Sequence, residues 1–205
     1  HSTSRRQRQM CIRDRLGILH ENGQGTAVST AHAAELYRSG CDGGDQEGCC
    51  WLGISYRKGT GVPKDSARGL ALLNQSCSKG FAQACSALGR AYQGGDGVPV
   101  DLPRAAAMYE KGCAAKDPGA CGDLGRMLRH GLGVQVDAPR ARDLLSVACE
   151  ANLFVACGEL GAMHILGAGG KPSSPLALKL FRKGCEHDDK ISCRMFTGAV
   201  LMSQG

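Results

Sequence analysis

The cysteines of this chain follow a regular lattice along most of its length. Ten of the twelve cysteines form five pairs, with a step of 8 residues within a pair and 36 residues from one pair to the next. The pairs are Cys41/Cys49, Cys77/Cys85, Cys113/Cys121, Cys149/Cys157 and Cys185/Cys193. A fixed period of this size is typical of repeat proteins, which stack one small supersecondary unit on the next. Paired cysteines in a short chain also indicate a disulfide framework and an oxidising compartment.

Other residue types keep the same period, and we refer to residues 36 apart as a column. Leu-Gly recurs from Leu16-Gly17 to Leu160-Gly161, and two glycines follow seven and nine residues after each leucine. Three of the turns then end in an aspartate, at Asp65, Asp101 and Asp137. Glycine allows the left-handed backbone that ends a helix, and aspartate caps the helix that follows. Each repeat is therefore predicted to be a helix, a glycine turn and a capped helix, with least support at the fourth turn, Gly169-Gly170-Lys171-Pro172.

The pattern LG-x-x-Y-x-x-G-x-G-V-x-x-D-x-x-R-A stands almost intact in Leu52 to Gly69 and in Leu88 to Ala105. It resembles Sel-one-like repeats (SLR), a 36-residue relative of the tetratricopeptide repeat. The cysteine pairs resemble the Hcp-like cysteine-rich subgroup of bacterial proteins, and a mitochondrial cytochrome c oxidase assembly factor shares them. The resemblance implies an all-α fold: a right-handed α/α superhelical solenoid of about five helix-turn-helix repeats, in one domain over residues 16–205.

Bridging of the paired cysteines requires a break in the helix between them. Eight residues along one helix span about 12 Å, which is too far for a disulfide. A bridge becomes feasible if the first cysteine ends one helix and the second begins the next. The glycines expected to mark these breaks are Gly40, Gly112 and Gly184, directly before a first cysteine, and Gly80 and Gly119, between partners. We expect five i,i+8 disulfides and no metal or other cofactor; zinc ligation and free thiols are the alternatives.

The first fifteen residues have no place in the repeat. They hold five arginines and one aspartate, and Cys11 lies two residues from the position that the register requires. Without them Lys and Arg fall from 25 to 20 and Asp and Glu from 19 to 18, so the formal net charge falls from +6 to +2. We interpret residues 1–15 as a disordered or non-native tail, for example a sequencing artefact. A basic tail that binds nucleic acid or anionic lipid is the alternative.

Composition argues against two kinds of partner. One Trp, four Tyr and four Phe give little aromatic surface for stacking on the bases of a nucleic acid. No apolar stretch is long enough to span a membrane. The resemblance to tetratricopeptide domains implies a protein or peptide partner.

Catalysis is the alternative from a different functional class, because Hcp-like relatives are often described as penicillin-binding or β-lactamase-like. The nucleophile motif S-x-x-K of such enzymes occurs twice, at Ser55/Lys58 and Ser76/Lys79. The two serine columns otherwise hold packing residues: Ala91, Met127 and Met163 for Ser55, and Gly112, Ala148 and Gly184 for Ser76. Neither S-D-N nor K-T-G occurs. We therefore expect both serines to pack, and we assign no catalytic residue.

A basic ladder is the predicted binding feature. By resemblance to tetratricopeptide domains, the first helix of each repeat lines the concave surface. The columns two and five residues after the repeat leucine share one helical face and hold Arg57, Arg90, Arg126 and Arg129. Such a ladder would bind acidic side chains or a C-terminal carboxylate. An ordinary solvated face is the alternative.

Four further side chains have two interpretations each. Trp51 is expected to be partly exposed, either as an anchor for a partner or as a cover over the first joint between repeats. Cys50, without a repeat partner, is either a spare thiol or a buried small residue. His164 is expected to pack in the column of the repeat tyrosines, and His187 to belong to a solvated charge cluster rather than a cation site.

These features together predict an exported scaffold, periplasmic or secreted, whose concave face binds a protein or peptide partner of acidic character. The alternatives are a hydrolase of the Hcp-like type and a redox or haem-linked assembly factor. For the last of these, the mitochondrial intermembrane space is the alternative location.

Overall fold

The computed structural model describes the backbone of residues 29–202 and the side chains of residues 29–198. This part of the chain is all-α, with ten helices that are mostly 13 residues long. They are α1 Thr30–Asp42, α2 Gln46–Lys58, α3 Ser66–Ser78, α4 Ala82–Gly94, α5 Leu102–Ala114, α6 Pro118–His130, α7 Ala138–Glu150, α8 Phe154–Leu166, α9 Ser174–Cys185 and α10 Lys190–Met202. The predicted all-α repeat fold is confirmed. The predicted tail, residues 1–15, lies outside the described residues.

The helices fall into two compact units, and the division in the sequence lies between Asp101 and Leu102. The first unit holds α1 to α4 and the second holds α5 to α10. In each unit every helix packs against the next one along the chain, as expected for stacked helical hairpins. The single domain over residues 16–205 stays a prediction.

Glycine turns end the even-numbered helices up to α8. Gly59 has φ of 73°, in the left-handed region, and its N–H donates to the Ser55 carbonyl at 2.8 Å. The second glycine of the turn, Gly61, lies against the start of α1, so a Cβ at this position would stand 2.0 Å from the Thr30 carbonyl oxygen. Three later turns repeat this contact, with Gly97 on Ser66, Gly133 on Leu102 and Gly169 on Ala138. Each of these turns therefore packs against the N-terminal end of the preceding odd-numbered helix.

Aspartates directly precede α3, α5 and α7, as predicted. Asp65 accepts a hydrogen bond from the Arg68 N–H at 2.9 Å, and Asp137 accepts one from Arg140 at 3.1 Å. The fourth turn lacks this aspartate but keeps the backbone geometry, since the Ser173 N–H donates to the His164 carbonyl at 2.9 Å. Backbone bonds and glycines thus suffice to form the turn.

Small residues let the two helices around each glycine turn approach closely. Leu52, Leu124 and Leu160 are buried. The glycine after each leucine faces the next helix at short range: a Cβ on Gly53 would lie 2.9 Å from the Gly69 carbonyl oxygen. The Leu-Gly columns are therefore packing columns, because any side chain in place of the glycine would push the helices apart.

Five disulfides close the other joints between helices. They are Cys41–Cys49, Cys77–Cys85, Cys113–Cys121, Cys149–Cys157 and Cys185–Cys193, with Cα–Cα distances of 4.3 to 4.8 Å. Each first cysteine lies in the last turn of one helix, and its partner is the fourth residue of the next helix. The predicted i,i+8 pairing is confirmed.

The positions predicted for the helix breaks were wrong for four of the five glycines. Gly40, Gly112, Gly119 and Gly184 lie inside helices. The chain instead reverses through one left-handed residue three positions after each first cysteine, namely Gly44, Gly80, Lys116, Asn152 and Asp188. A glycine before the cysteine serves packing instead: a Cβ on Gly184 would lie 2.3 Å from the Ser192 hydroxyl oxygen.

Candidate functional site

The first two arginines of the predicted ladder lie in the first unit and differ in exposure. Arg57 is buried, and its guanidinium donates to Asp96 at 2.7 Å and to the Ala87 carbonyl at 3.2 Å. Arg57 therefore ties the end of α2 to α4 and the turn that follows α4. Arg90 is exposed on α4.

The other two arginines lie on α6 in the second unit. Arg126 is paired with Asp123, one turn earlier, at 2.6 Å. Arg129 is paired with Glu159 of α8, and burial lowers the pKa of its guanidinium from the ordinary value. Arg129, like Arg57, thus links successive even-numbered helices. Partner binding by the ladder stays a prediction, and its more exposed members are Arg90 and Arg126.

Sequence reasoning missed the acidic partners of Arg57 and Arg129. Asp96 follows its arginine by 39 residues, and Glu159 follows by 30. Arg129 and Glu159 are separated by six residues fewer than one repeat. This separation places the acid on the next even-numbered helix. Arg140 and Glu110 form a third pair with the same separation, between α7 and α5.

Trp51 covers the joint between α1 and α2. Its ring stacks on Tyr37, with centroids 6.2 Å apart and planes at 25°, and its indole N–H donates to Glu47 at 3.4 Å. Trp51 is half-buried, so an anchoring role stays a prediction. The neighbouring Cys50 is a fully buried thiol outside the five disulfides.

Neither S-x-x-K serine presents its hydroxyl to solvent. The buried Ser55 hydroxyl donates to the Trp51 carbonyl at 2.9 Å, and the buried Ser76 hydroxyl donates to the Gln46 carbonyl at 2.7 Å. Lys58 is the last residue of α2 and Lys79 directly follows α3, and both are exposed. Both hydroxyls therefore satisfy backbone groups of the packed helices.

The acidic loop that contains His187 contacts the first residue of α8 through a pair of rings. The imidazole stacks on Phe154, with centroids 3.9 Å apart and planes at 11°. Over residues 29–198, no group of three or more His, Cys, Asp and Glu side chains is arranged to hold a metal ion.

An exposed apolar surface on α8 and α10 was not predicted. Five large apolar side chains of these two helices are exposed, and we call them the outer apolar face: Val155, Ile165, Leu166, Ile191 and Met195. Leu166 is 72% exposed and Ile191 65%. Opposite sides of α8 are therefore apolar, since Leu160 and Met163 are buried. A helix of that kind is unusual at a solvent boundary, and the sequence of α8 could have shown it.

None of the ten described helices combines the length and the apolar run that crossing a membrane requires.

Comparison with a family model shows where the repeats begin and end relative to the disulfides. The Sel1 repeat model matches residues 14–45, 46–81, 82–117, 118–153 and 155–189. Each boundary between successive matches falls within a cysteine pair, so the first four disulfides join one matched repeat to the next. Among curated proteins, no sequence is significantly similar to this chain.

Solved structures with the same fold come from several bacteria. A Sel1 repeat protein of Oxalobacter formigenes is 24% identical with a TM-score of 0.80, and the match covers 89% of this chain and 75% of that one. The protective antigen c5321 of uropathogenic Escherichia coli is also 24% identical, with a TM-score of 0.79 over 93% of this chain. This chain spans only 41% of that antigen. Cysteine rich protein B of Helicobacter pylori is 23% identical, with a TM-score of 0.50 over 64% of this chain and 95% of its own.

Proposed function

This chain belongs to the Sel1 repeat family, and from that premise we propose that it is an exported scaffold that binds a protein partner through the outer apolar face of α8 and α10. Members of the family are commonly protein-interaction modules. The observation that carries the proposal is the exposure of five large apolar side chains on two neighbouring even-numbered helices. Large exposed apolar patches on soluble proteins often mark sites of protein contact.

The column that holds Val155 and Ile191 is exposed even where a further helix follows. Val155 and Ile191 share a column, and Val155 is 52% exposed although α9 packs on α8. The helix after α8 therefore leaves this column open to solvent. A partner that buries both side chains together with Leu166 would remove a substantial apolar area from water, at about 25 cal/mol per Å².

Charge beside the apolar face sets the chemistry of the partner. Arg126 and His130 of α6 lie in the columns of Ala162 and Leu166, and Arg194 of α10 lies next to Met195. Arg126 also pairs with Asp123, and His130 lies beside Glu159, so this border carries both charges. Its cations suit a segment with apolar anchors and flanking acidic residues. The acidic character expected from the ladder is thus retained, with Arg126 as the member nearest this face.

The disulfides support an oxidising location. Five bridges in about 150 residues are typical of secreted and periplasmic proteins and rare in the reducing cytosol. We therefore place the protein outside the cytoplasm, and we expect the partner to share that compartment.

The test compares two ways of removing exposed apolar surface. Oxidised protein with Leu166→Ser and Ile191→Ser should lose capture of its partner from periplasmic or culture-fluid proteins. The control Val136→Ser should retain it, since Val136 is 64% exposed in a glycine turn away from this face. A photo-crosslinking residue at position 166 should give a discrete adduct, whereas one at position 136 should not. Equal capture by wild type and the double variant would refute the proposal.

A further inference from the structure

The second unit contains a cleft between α7 and α9, with α8 as its floor. Its volume is about 620 Å³, within the range of sites for small molecules or peptide ends. Leu176 and Leu180 supply an apolar wall and Leu160 an apolar floor, and the polar groups include Arg142, His164 and Lys183. The floor residues Leu160 and His164 are buried, in contrast to the exposed Val155 and Leu166 of the same helix.

At this cleft, three columns hold a residue type that differs from the rest of the column. Arg142 stands in a column that is apolar elsewhere in the described chain: Ala34, Leu70, Ala106 and Leu178. His164 replaces the residues Tyr56, Tyr92 and Leu128, and Gly170 replaces Val62, Val98 and Val134. We call Arg142, His164 and Gly170 the α7–α8 joint. A repeat that loses three apolar side chains at one place has a polar feature there that the fold does not need.

These three residues are in contact. The Arg142 guanidinium packs on the imidazole of His164 and donates to the Lys171 carbonyl at 3.4 Å. A Cβ on Gly170 would stand 2.2 Å from a guanidinium nitrogen of Arg142, so the glycine leaves the space that the arginine occupies. The loss of valine in the fourth turn is thereby explained.

The charge of Arg142 is not paired with a carboxylate in the described part of the chain. Among the side chains of residues 29–198, no carboxylate lies within 4.0 Å of its guanidinium nitrogens. Burial, with the positive charge of Arg142, lowers the pKa of His164 below 6.5, so the imidazole is neutral at pH 7. A half-buried cation in this state gains from an anion that enters the cleft.

We propose that the cleft binds a single carboxylate carried on an apolar group, with Arg142 pairing the carboxylate and the three leucines enclosing the apolar part. A guanidinium accommodates both carboxylate oxygens at once. Lys183 lies nearby, donating to the Cys149 carbonyl at 2.8 Å. Asp143, Glu150 and Glu186 also line the cleft, together with Lys179 and Arg182, so charges of both signs surround the ligand. The C-terminal residue of a peptide and a free carboxylic acid share the required chemistry.

This site is independent of the outer apolar face, and small probes test it directly. Calorimetric titration of the oxidised protein should detect binding of N-acetyl-leucine and none of N-acetyl-leucinamide. Acetyl-Gly-Gly-Leu as free acid and as amide forms the second pair. Tighter binding of the peptide acid identifies a peptide C-terminus as the source, and equal or tighter binding of N-acetyl-leucine identifies a free acid. Absence of binding for both acids overturns the proposal.

Variants of the two neighbouring arginines assign the binding to Arg142. Arg142→Leu restores the residue of Leu70 and Leu178 and should weaken binding at least about tenfold. Arg140→Leu removes the same charge two residues away, where Arg140 pairs with Glu110, and should leave binding unchanged. Gly170→Val provides a second variant that should weaken binding, because the valine side chain would occupy the space of the guanidinium. Equal weakening by Arg140→Leu and Arg142→Leu would reduce the effect to net charge and refute the site.

Discussion

The α7–α8 joint and its counterpart in the first unit share one backbone arrangement but differ in chemistry. The corresponding residues in the first unit are Ala34, Tyr56 and Val62, and we call these three residues the α1–α2 joint. Here Tyr56 belongs to the buried apolar cluster between α1 and α2, and Val62 packs against it. The Asp65 N–H donates to the Tyr56 carbonyl at 2.8 Å, and the Ser173 N–H to the His164 carbonyl at 2.9 Å.

The comparison separates the residues that form the repeat from those that vary within it. Gly61 and Gly169 make the same close backbone contact in the two joints, and both joints carry a disulfide. The side chains between them range from Ala, Tyr and Val to Arg, His and Gly without a change in the turn. Chemistry can therefore be placed in these columns while the backbone stays constant.

The largest predicted effect removes the backbone contact that the two joints share. Gly169→Ala should lower the free energy of unfolding by about 3 kcal/mol or more, because φ is 78° and the new Cβ would stand 2.4 Å from the Ala138 carbonyl oxygen. Gly61→Ala should cost a similar amount. Urea unfolding of oxidised protein measures both.

Gly80→Ala is the matched control for these glycines. Its φ of 86° is also left-handed, but nothing lies within 4 Å of the added Cβ. It should cost only the backbone strain, about 1 kcal/mol. If all three variants are equally destabilised, the close contact contributes nothing and the turn is fixed by φ alone.

The residues that form the repeat could be predicted from the sequence, because their constraints are local. The paired cysteines and the glycine turns lie within about ten residues of each other, so their spacing alone predicted the disulfides and the helix order. Gly40 and Gly184 were misjudged because a glycine that packs inside a helix has the same sequence appearance as one that breaks it. Only the contact with Ser192 distinguishes the two for Gly184.

The second prediction concerns the disulfides of the two joints. Replacing Cys149 and Cys157 by serine should cost about 2.5 kcal/mol in the chain-entropy model for a loop this short. The pair Cys41/Cys49 should behave in the same way, although the α1–α2 joint is apolar. Urea unfolding of the two double variants gives the comparison. A loss confined to one joint would show that the side-chain packing, and not the closed loop, carries the stability.

The candidate sites were less predictable, since they depend on contacts between repeats. Arg57 was recognised as basic, but its pairing with Asp96 needs the packing of α2 on α4. The unusual column of Arg142 is visible in the sequence, whereas its contact with His164 and Gly170 requires the stacked helices. The sequence of α8 shows that opposite sides of this helix are apolar, but which side stays exposed depends on the neighbouring helices.

The third prediction uses acid to distinguish the joints, and its effect is smaller than that of an opened disulfide. The pKa of His164 is lowered in the folded protein by burial and by Arg142, from 6.5 in the unfolded chain. The unfolded chain therefore binds this proton more readily, so stability falls as pH drops through 6.5 and levels off below the folded pKa. At higher pH the residue makes no such contribution.

His164→Tyr, the residue of the α1–α2 joint, isolates this effect. Urea unfolding at pH 7.5 and pH 5 should show a larger loss in the wild type than in the variant, because the carboxylates titrate equally in both. An identical pH dependence in the two proteins would show that His164 does not titrate in the way its surroundings imply.

The smallest predicted effect comes from converting one joint into the other. Arg142→Leu, His164→Tyr and Gly170→Val together replace a half-buried cation and its polar neighbour with the apolar residues of the other repeats. Such replacements are often neutral or stabilising, so we expect the free energy of unfolding to change by no more than about 1 kcal/mol, with the sign toward greater stability. The three sites are in contact, so the single variants need not add up to this value.

Binding of N-acetyl-leucine should be lost while the disulfides and the helicity persist. A loss of stability above about 2 kcal/mol would instead make the polar joint part of the fold. Retained stability with lost binding would show that the repeat departs from its own pattern at this place for the ligand.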